Sequence, residues 1–197
     1  MAQIKLNATL GLEGTLPAIS GANLTSLNAS NISSGTLNSA RFSGGKIGQV
    51  VQSGSDYSVV STSTSYVDFE SSSGTAWETA ITPSATSSKI LVMSTLDIRG
   101  SRNGANDGRC FAKMMKKIGS GSYSDVAIAV ETIGGYDFGA SGIWIKGCIN
   151  FMNLISPNTT DAVTFKFQGK SGASGAEFAF NGGSTAVTKC TLLEVFA

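Results

Sequence analysis

A large apolar residue returns at every fifth position between residues 27 and 47 of this chain. These residues are Leu27, Ile32, Leu37, Phe42 and Ile47, and nearly everything between them is Ser, Thr, Asn, Gly or Ala. The spacing fits neither the helical period near 3.6 nor the strand period near 2. A segment this thin cannot cover its own apolar side chains, so it needs stacked repeats or identical chains around it. This apolar seam predicts an extended stalk in an oligomer rather than the core of an enzyme.

The remainder of the chain, residues 48–197, is typical of short strands separated by Gly, Ser and Asn turns. Charged residues make up only 14% of the chain and glycines number 24, which favours strands over long helices. Alternation assigns inward faces in three segments, with inward residues Leu96, Ile98, Ile149, Phe151, Val163, Phe165 and Phe167. We therefore predict an all-β chain in which residues 1–47 form an attachment and repeat stalk. Residues 48–197 then form an antiparallel, jelly-roll-like β-sandwich.

One segment fits two structures. Phe111, Met114, Met115 and Ile118 have helical spacing. The glycines that follow and the neighbouring strand patterns favour a strand, and this is the interpretation we adopt.

Charge and cysteine content exclude several classes of protein. Basic and acidic residues number 14 and 13, so no nucleic-acid surface is indicated. No run approaches the roughly 18 apolar residues that span a bilayer, and the N-terminal residues lack an apolar export segment. Cys110, Cys148 and Cys190 are odd in number and far apart, which predicts reduced, buried thiols in a protein made in a cytosol.

The residue types needed for most enzyme chemistry are missing. The chain has no histidine, which excludes Ser/His/Asp and Cys/His nucleophile systems, and the cysteines lack metal-knuckle spacing. Asp68 and Glu70 suit glycoside cleavage in principle, but a solvated strand edge is the favoured interpretation. The oxygen-rich loop at 101–108 suits calcium in principle, but an ordinary turn-rich loop is favoured. We expect no catalytic residues, no metal and no cofactor.

Several segments together resemble bacteriophage tail fibres, especially those of phages that infect cyanobacteria and other aquatic bacteria. The run LPAISGANLTSLNASNISSGTLNSARF resembles their short stalk repeats, and GQVVQ at 48–52 resembles the segment that follows. ITPSATSSKILV, ISPNTTDAVTFKFQ and the ending STAVTKCTLLEVFA resemble hallmarks of their β-rich C-terminal domain. The resemblance implies an intertwined homotrimer within a virion, assembled in the host cytoplasm. Residues 100–141 match no pattern of these fibres, so no ligand is implied.

The function expected from this resemblance is a tail fibre that binds the host cell surface, with a glycan as the receptor. Its other partners would be baseplate, tail or capsid proteins. The alternative is a capsid decoration or head-fibre protein at threefold positions, because few residues precede the repeats. A glycan-degrading enzyme is the third and least favoured alternative.

Receptor contact is expected from aromatic and polar residues in loops at one end of the sandwich. The candidates are Tyr123, Tyr136, Asp137 and Trp144, and Trp77 is a further aromatic of interest. Packing within or between subunits is the alternative for these aromatics. A basic cluster of Arg109, Lys113, Lys116 and Lys117 suits an anionic lipopolysaccharide, although a solvated face is the simpler interpretation.

Overall fold

The computed structural model describes residues 46–101, 109–131, 144–181 and 188–196, with the backbone alone at 128–131 and 144–145. These ranges contain thirteen strands and no helix, and every strand pair is antiparallel, which confirms the predicted fold class. The strands are β1 (Ile47–Ser55), β2 (Val59–Ser61), β3 (Val67–Asp68), β4 (Glu70–Ser72), β5 (Thr75–Ala76), β6 (Glu78–Ile81), β7 (Lys89–Ser101), β8 (Cys110–Ile118), β9 (Ser124–Glu131), β10 (Trp144–Ile155), β11 (Val163–Ser171), β12 (Glu177–Phe180) and β13 (Thr188–Val195).

The first sheet has six strands and is organised around the long strand β7. One edge of β7 pairs with β10 over its whole length, from Ile90 opposite Ile155 to Ser101 opposite Trp144. The other edge pairs with β13 along its first half and with β12 along its second half. Strand β1 extends the sheet beyond β13, and β2 extends it beyond β12.

The second sheet has five strands and is organised around β11. One edge of β11 pairs with β8, which in turn pairs with β9. The other edge pairs first with β6 and then with β3. Strands β4 and β5 form a separate two-stranded pair, turned by Gly74 at a positive φ of 72°.

The core lies between the two sheets and is rich in phenylalanine. All seven side chains that alternation assigns to the inside are buried, at 5% exposure or less. Phe151 of the first sheet contacts Phe167 of the second, with ring centroids 5.9 Å apart. Phe69 stacks on Phe180 at 4.1 Å, again across the two sheets. The two layers therefore form a β-sandwich.

The segment with helical spacing is strand β8. Met114 is fully buried, and buried and half-buried positions alternate from Cys110 to Met115, after which the residues up to Ile118 are all half-buried. Because β11 and β9 pair with its two edges, the backbone hydrogen-bonding groups are satisfied in the extended form. The strand interpretation is confirmed.

The cysteine prediction is correct for two residues and wrong for one. Cys110 and Cys190 are buried, reduced thiols, and burial raises the pKa of each thiol to about 12. Cys148 is exposed, because it lies on the outward-facing side of β10, opposite Asp97. Composition favours burial for cysteine, but the parity of the strand decides the side on which each thiol emerges.

Candidate functional site

The predicted apolar seam meets the described residues at one position. Leu27, Ile32, Leu37 and Phe42 lie outside the described residues. Ile47 is the first residue of β1, lies opposite Val195, and is 57% exposed in the single chain.

The structure describes only part of the predicted receptor residues. Tyr136 and Asp137 lie outside the described residues, as do positions 102–108 of the oxygen-rich loop. Trp144 is described only by its backbone, which pairs with Ser101 at the end of β7. Trp77 belongs to the core, at 2% exposure, and donates from Nε1 to the Ser53 hydroxyl at 3.1 Å. This burial removes Trp77 from the surface candidates.

Tyr123 belongs to a larger cluster on the outer side of the second sheet. Its ring lies beneath the ammonium groups of Lys166 and Lys117, at 4.4 Å and 4.8 Å from the ring centroid. Burial, together with the nearby carboxylates of Glu78 and Asp68, raises the pKa of the Tyr123 hydroxyl. Tyr123 therefore stays neutral and packs against the two lysine side chains.

A second cation–aromatic group lies on the same outer side, towards the other end of β8 and β11. The Tyr66 ring carries Lys113 at 4.6 Å and Lys170 at 5.0 Å from its centroid, and Lys170 also lies 5.1 Å from the Phe111 ring. Alternation along β8 and β11 directs these lysines away from the core. We call the two groups together the lysine–aromatic face; its members are Tyr66, Phe111, Lys113, Lys117, Tyr123, Lys166, Gln168 and Lys170.

Carboxylates balance several of these lysines. Lys113 pairs with Asp125 at 2.9 Å and Lys117 pairs with Glu78 at 3.3 Å. Lys116 lies on the opposite parity of β8, opposite Phe165 of β11. The predicted basic cluster is therefore divided between two sides of the strand, and two of its lysines are paired with acids.

The two carboxylates considered for glycoside cleavage each have a structural partner. Asp68 accepts from Lys166 Nζ, at 2.8 Å, and from Gln168 Nε2, at 2.7 Å. Glu70 accepts from the backbone N–H of Gly74 at 3.0 Å, in the β4–β5 turn. These contacts hold β3 against β11 and close a tight turn, which accounts for both acids without a catalytic role.

The outer side of the first sheet is apolar. Register places Val50, Leu193, Leu91 and Leu154 side by side on four neighbouring strands. The next row on the same side contains Met93 opposite Met152, with Thr191 and Gln52 beyond. We call this surface the apolar face; its members are Ile47, Val50, Leu91, Met93, Met152, Leu154, Leu193 and Val195.

Exposure of large hydrophobic side chains is concentrated on this face. Among the described residues, six large hydrophobics are exposed, and five of them belong to the apolar face. Met152 is 72% exposed and Leu154 is 57% exposed. A shallow groove of about 250 Å³ lies beside them, between Met93, Met152, Lys189 and Thr191. Contiguous exposed apolar patches of this kind mark interaction surfaces.

A β-bulge brings Ile47 onto this face. Ile47 lies opposite Val195 and Val50 lies opposite Leu193, so three steps along β1 match two steps along β13. Without the extra residue, Ile47 and Val50 would point to opposite sides, because side chains alternate along a strand. The last residue of the seam therefore adjoins the apolar face.

The described part of the chain has neither a metal-binding cluster nor a membrane-spanning helix. No group of three or more His, Cys, Asp or Glu side chains is arranged there to hold a metal ion. None of the described residues belongs to a helix long and apolar enough to cross a bilayer.

Comparison with known proteins gives distant structural likenesses alone. No protein-family model and no curated protein matches the chain. A structure of infectious bursal disease virus Gx strain gives a TM-score of 0.40 at 8% identity, covering 77% of this chain and 33% of that chain. The Gt strain structure gives 0.35 at 11% identity, covering 76% and 41%. The VP2 subviral particle of the same virus gives 0.34 at 12% identity, covering 75% and 39%. This chain therefore spans 33–41% of the length of these three chains, and likenesses this distant carry no conclusion about function.

Sequence reasoning missed most members of both faces, although part of the signal was present. Alternation along β10 places Met152 outward beside Lys146 and Asn150, so an apolar side chain at a polar position was visible. The run KILVM in β7 gives no such signal, because inward and outward residues are both apolar. Tyr66 meets Lys170 only after β3 pairs with β11, and Lys113 joins them only after β8 pairs with β11.

Proposed function

We propose that this chain is a virion structural protein, a homotrimeric tail fibre whose sandwich binds a glycan on the host cell surface. The observation that carries the proposal is the contrast between the two outer sides of the sandwich. One side is apolar and suits burial against other subunits, whereas the other combines lysines with aromatic rings and suits contact with a polar ligand. The stalk repeats, which resemble those of phage fibres, supply the virion context.

The lysine–aromatic face has the chemistry that sugar binding requires. Aromatic rings such as Tyr66 and Phe111 offer apolar surface to the C–H faces of a sugar ring. Lys170 and Gln168 offer donors to hydroxyl or acid groups at its rim. Three copies on one particle would convert weak single-site binding into strong attachment through effective concentration.

Binding of the purified protein to host cells and to isolated envelope glycans tests this proposal. Tyr66→Ala removes one ring, with an expected loss of about 1 kcal/mol per site. Over three engaged sites the apparent affinity should fall on the order of a hundredfold. Tyr57→Ala is the matched control, since Tyr57 is also half-buried but lies between β1 and β2, outside this face. A folded trimer that binds neither cells nor glycans would overturn the receptor-binding role.

The position of the protein in the particle tests the remaining part of the proposal. Electron microscopy of virions labelled with antibody against this chain should place it on the tail. Label at threefold positions of the capsid would instead assign it to capsid decoration and would exclude the tail-fibre role.

A further inference from the structure

We infer that the apolar face of the first sheet is the surface through which sister copies of this chain contact one another. The inference rests on the proposed homotrimer and goes beyond it, because it assigns the contact to particular strands of the sandwich. The occupant of the face is a second copy of the same chain. Three features of the molecule lead to this assignment: the distribution of exposed apolar residues, the continuity of the seam, and the size of the face.

The distribution of apolar residues separates the two outer sides. The apolar face contains no charged side chain across its two rows, from Val50 to Leu154 and from Gln52 to Met152. Charged residues flank these two rows at both ends: Lys89 lies opposite Val195 at one end, and Lys189, followed by Asp97 and Arg99, lies at the other. On the outer side of the second sheet, by contrast, lysine side chains form ion pairs with carboxylates. An apolar centre with a charged rim is the usual anatomy of a protein interface.

Continuity with the seam identifies the occupant. Under the proposed homotrimer, identical chains cover the spaced apolar residues from Leu27 to Ile47, and Ile47 is both the last of them and a member of the apolar face. Val50 lies three residues further along β1, at most about 10 Å away. A sister chain that covers Ile47 therefore also reaches Val50 and the row that continues to Leu154. An unrelated partner on this face would have to compete with that chain.

The area of the apolar face is smaller than that of a complete protein interface. Four strands about 4.8 Å apart and five residues along each give a surface of about 19 Å by about 17 Å, or roughly 300 Å². A stable interface buries about 800 Å² on each partner. The face by itself is smaller than this, so we expect it to form one part of the contact between sister copies.

Substitution of one exposed residue in the face tests this assignment directly. Leu154→Lys places a charge on the edge strand β10, at one end of the row that begins at Val50, at a side chain that is 57% exposed in the single chain. Val60→Lys is the matched control, since Val60 is 52% exposed on the same side of the same sheet. Val60 lies in the same row as Ala179 and Arg99. Arg99 is six residues, about 20 Å, from Met93 along β7, so this control lies outside the apolar face. The mass in solution is measured by light scattering or sedimentation at a fixed concentration.

The expected result is a trimer for the wild type and for V60K, and a threefold lower mass of 20.2 kDa for L154K with an unchanged β-sheet circular dichroism spectrum. A trimeric L154K overturns the assignment of the face but leaves the trimeric fibre intact. A wild type of 20.2 kDa overturns both the face and the trimer. Glycan binding by that monomer would still support the receptor role.

Methionine oxidation gives a second measurement that needs no variant. Met152 is 72% exposed in the single chain and Met114 is fully buried, so peroxide should distinguish them unless a partner covers Met152. In the wild-type trimer we expect Met152 to be protected from oxidation nearly as well as Met114. In L154K we expect Met152 to be oxidised rapidly while Met114 stays protected. Rapid oxidation of Met152 within a confirmed wild-type trimer would overturn the inference.

Discussion

Glu194 is a buried carboxylate whose removal should be unusually costly. It is 1% exposed near the end of β13. One oxygen accepts from the backbone N–H and hydroxyl of Ser84, at 2.6 Å and 2.7 Å, and the other accepts from Gln49 Nε2 at 2.9 Å. Gln49 also donates to the Thr82 carbonyl at 2.6 Å. One side chain thus connects β1, β13 and the segment that follows β6.

The cost of Glu194→Ala follows from these three hydrogen bonds. A hydrogen bond to a charged group contributes about 1.5–3 kcal/mol, and donors left unpaired in a buried site add a penalty. Taking the lower figure for each bond, we expect the free energy of unfolding to fall by about 4–5 kcal/mol. That is a large part of the roughly 5–15 kcal/mol that stabilises a typical domain. Glu194→Gln keeps one acceptor for Ser84, so its expected cost is smaller, about 1–2 kcal/mol.

The pH dependence of stability should change with the same residue. Burial alone would raise the pKa of Glu194, but hydrogen bonds from Gln49 and Ser84 outweigh it and lower the pKa. The folded state therefore holds the ionised form more firmly than the unfolded state does. This contribution is present above the unfolded pKa, near 4.3, and is lost as the pH falls through the lower folded pKa. Glu194→Gln should accordingly flatten the loss of stability below about pH 4.3.

Urea unfolding followed by circular dichroism, at pH 7 and across the acid range, measures both the loss of stability and its pH dependence. All samples are compared at one protein concentration, because the stability of an oligomer depends on concentration. Glu177→Gln removes a half-buried carboxylate elsewhere in the first sheet and serves as the control. A change of less than about 0.5 kcal/mol for Glu194→Ala, the size typical of ordinary surface substitutions, would refute this reasoning. So would an acid-range slope of Glu194→Gln identical to that of the wild type.

Three further outcomes are expected. Asn181→Ala should lower the free energy of unfolding, measured with urea, by about 2–4 kcal/mol. Asn181 adopts a positive φ of 50°, and its buried amide oxygen accepts from the Thr188 hydroxyl at 2.8 Å. A decrease below about 0.5 kcal/mol would contradict this prediction. Gly169→Ala should lower the melting temperature, because its new Cβ would lie 2.7 Å from the Phe69 ring, at a cost of about 1–3 kcal/mol; unchanged melting would show that the core yields there. Maleimide should label Cys148 alone of the three cysteines in the folded protein, by mass spectrometry, and labelling of the buried thiols would indicate a looser core.

Part of the fold was predictable from local pattern because strand alternation is a local property. Polar residues between Val163, Phe165 and Phe167 indicate a half-buried strand without any knowledge of its neighbours. The strand β1 was not predicted, since its sequence IGQVVQSGS alternates weakly and contains two glycines. Its pairing with β13, at the far end of the chain, holds β1 in an extended form that its own residues do not specify.

The candidate surfaces were less predictable because each is assembled from distant segments. Tyr123 and Lys117 were candidates from the sequence, but their association with Lys166 requires the pairing of β8 with β11. The predicted roles of Tyr136 and Asp137 stay predictions, as does the stalk from Leu27 to Phe42.

The amino-acid sequence alone determined that the chain is all-β and which residues of its clearest strands face inward. Only the tertiary structure decided that Cys148 emerges to the outside, that Glu194 is buried, and that a bulge turns Ile47 to the side of Val50. The physical reason is that alternation fixes which side chains share a side of one strand. Hydrogen bonding between distant strands fixes which strands share a sheet, and so which side chains become neighbours.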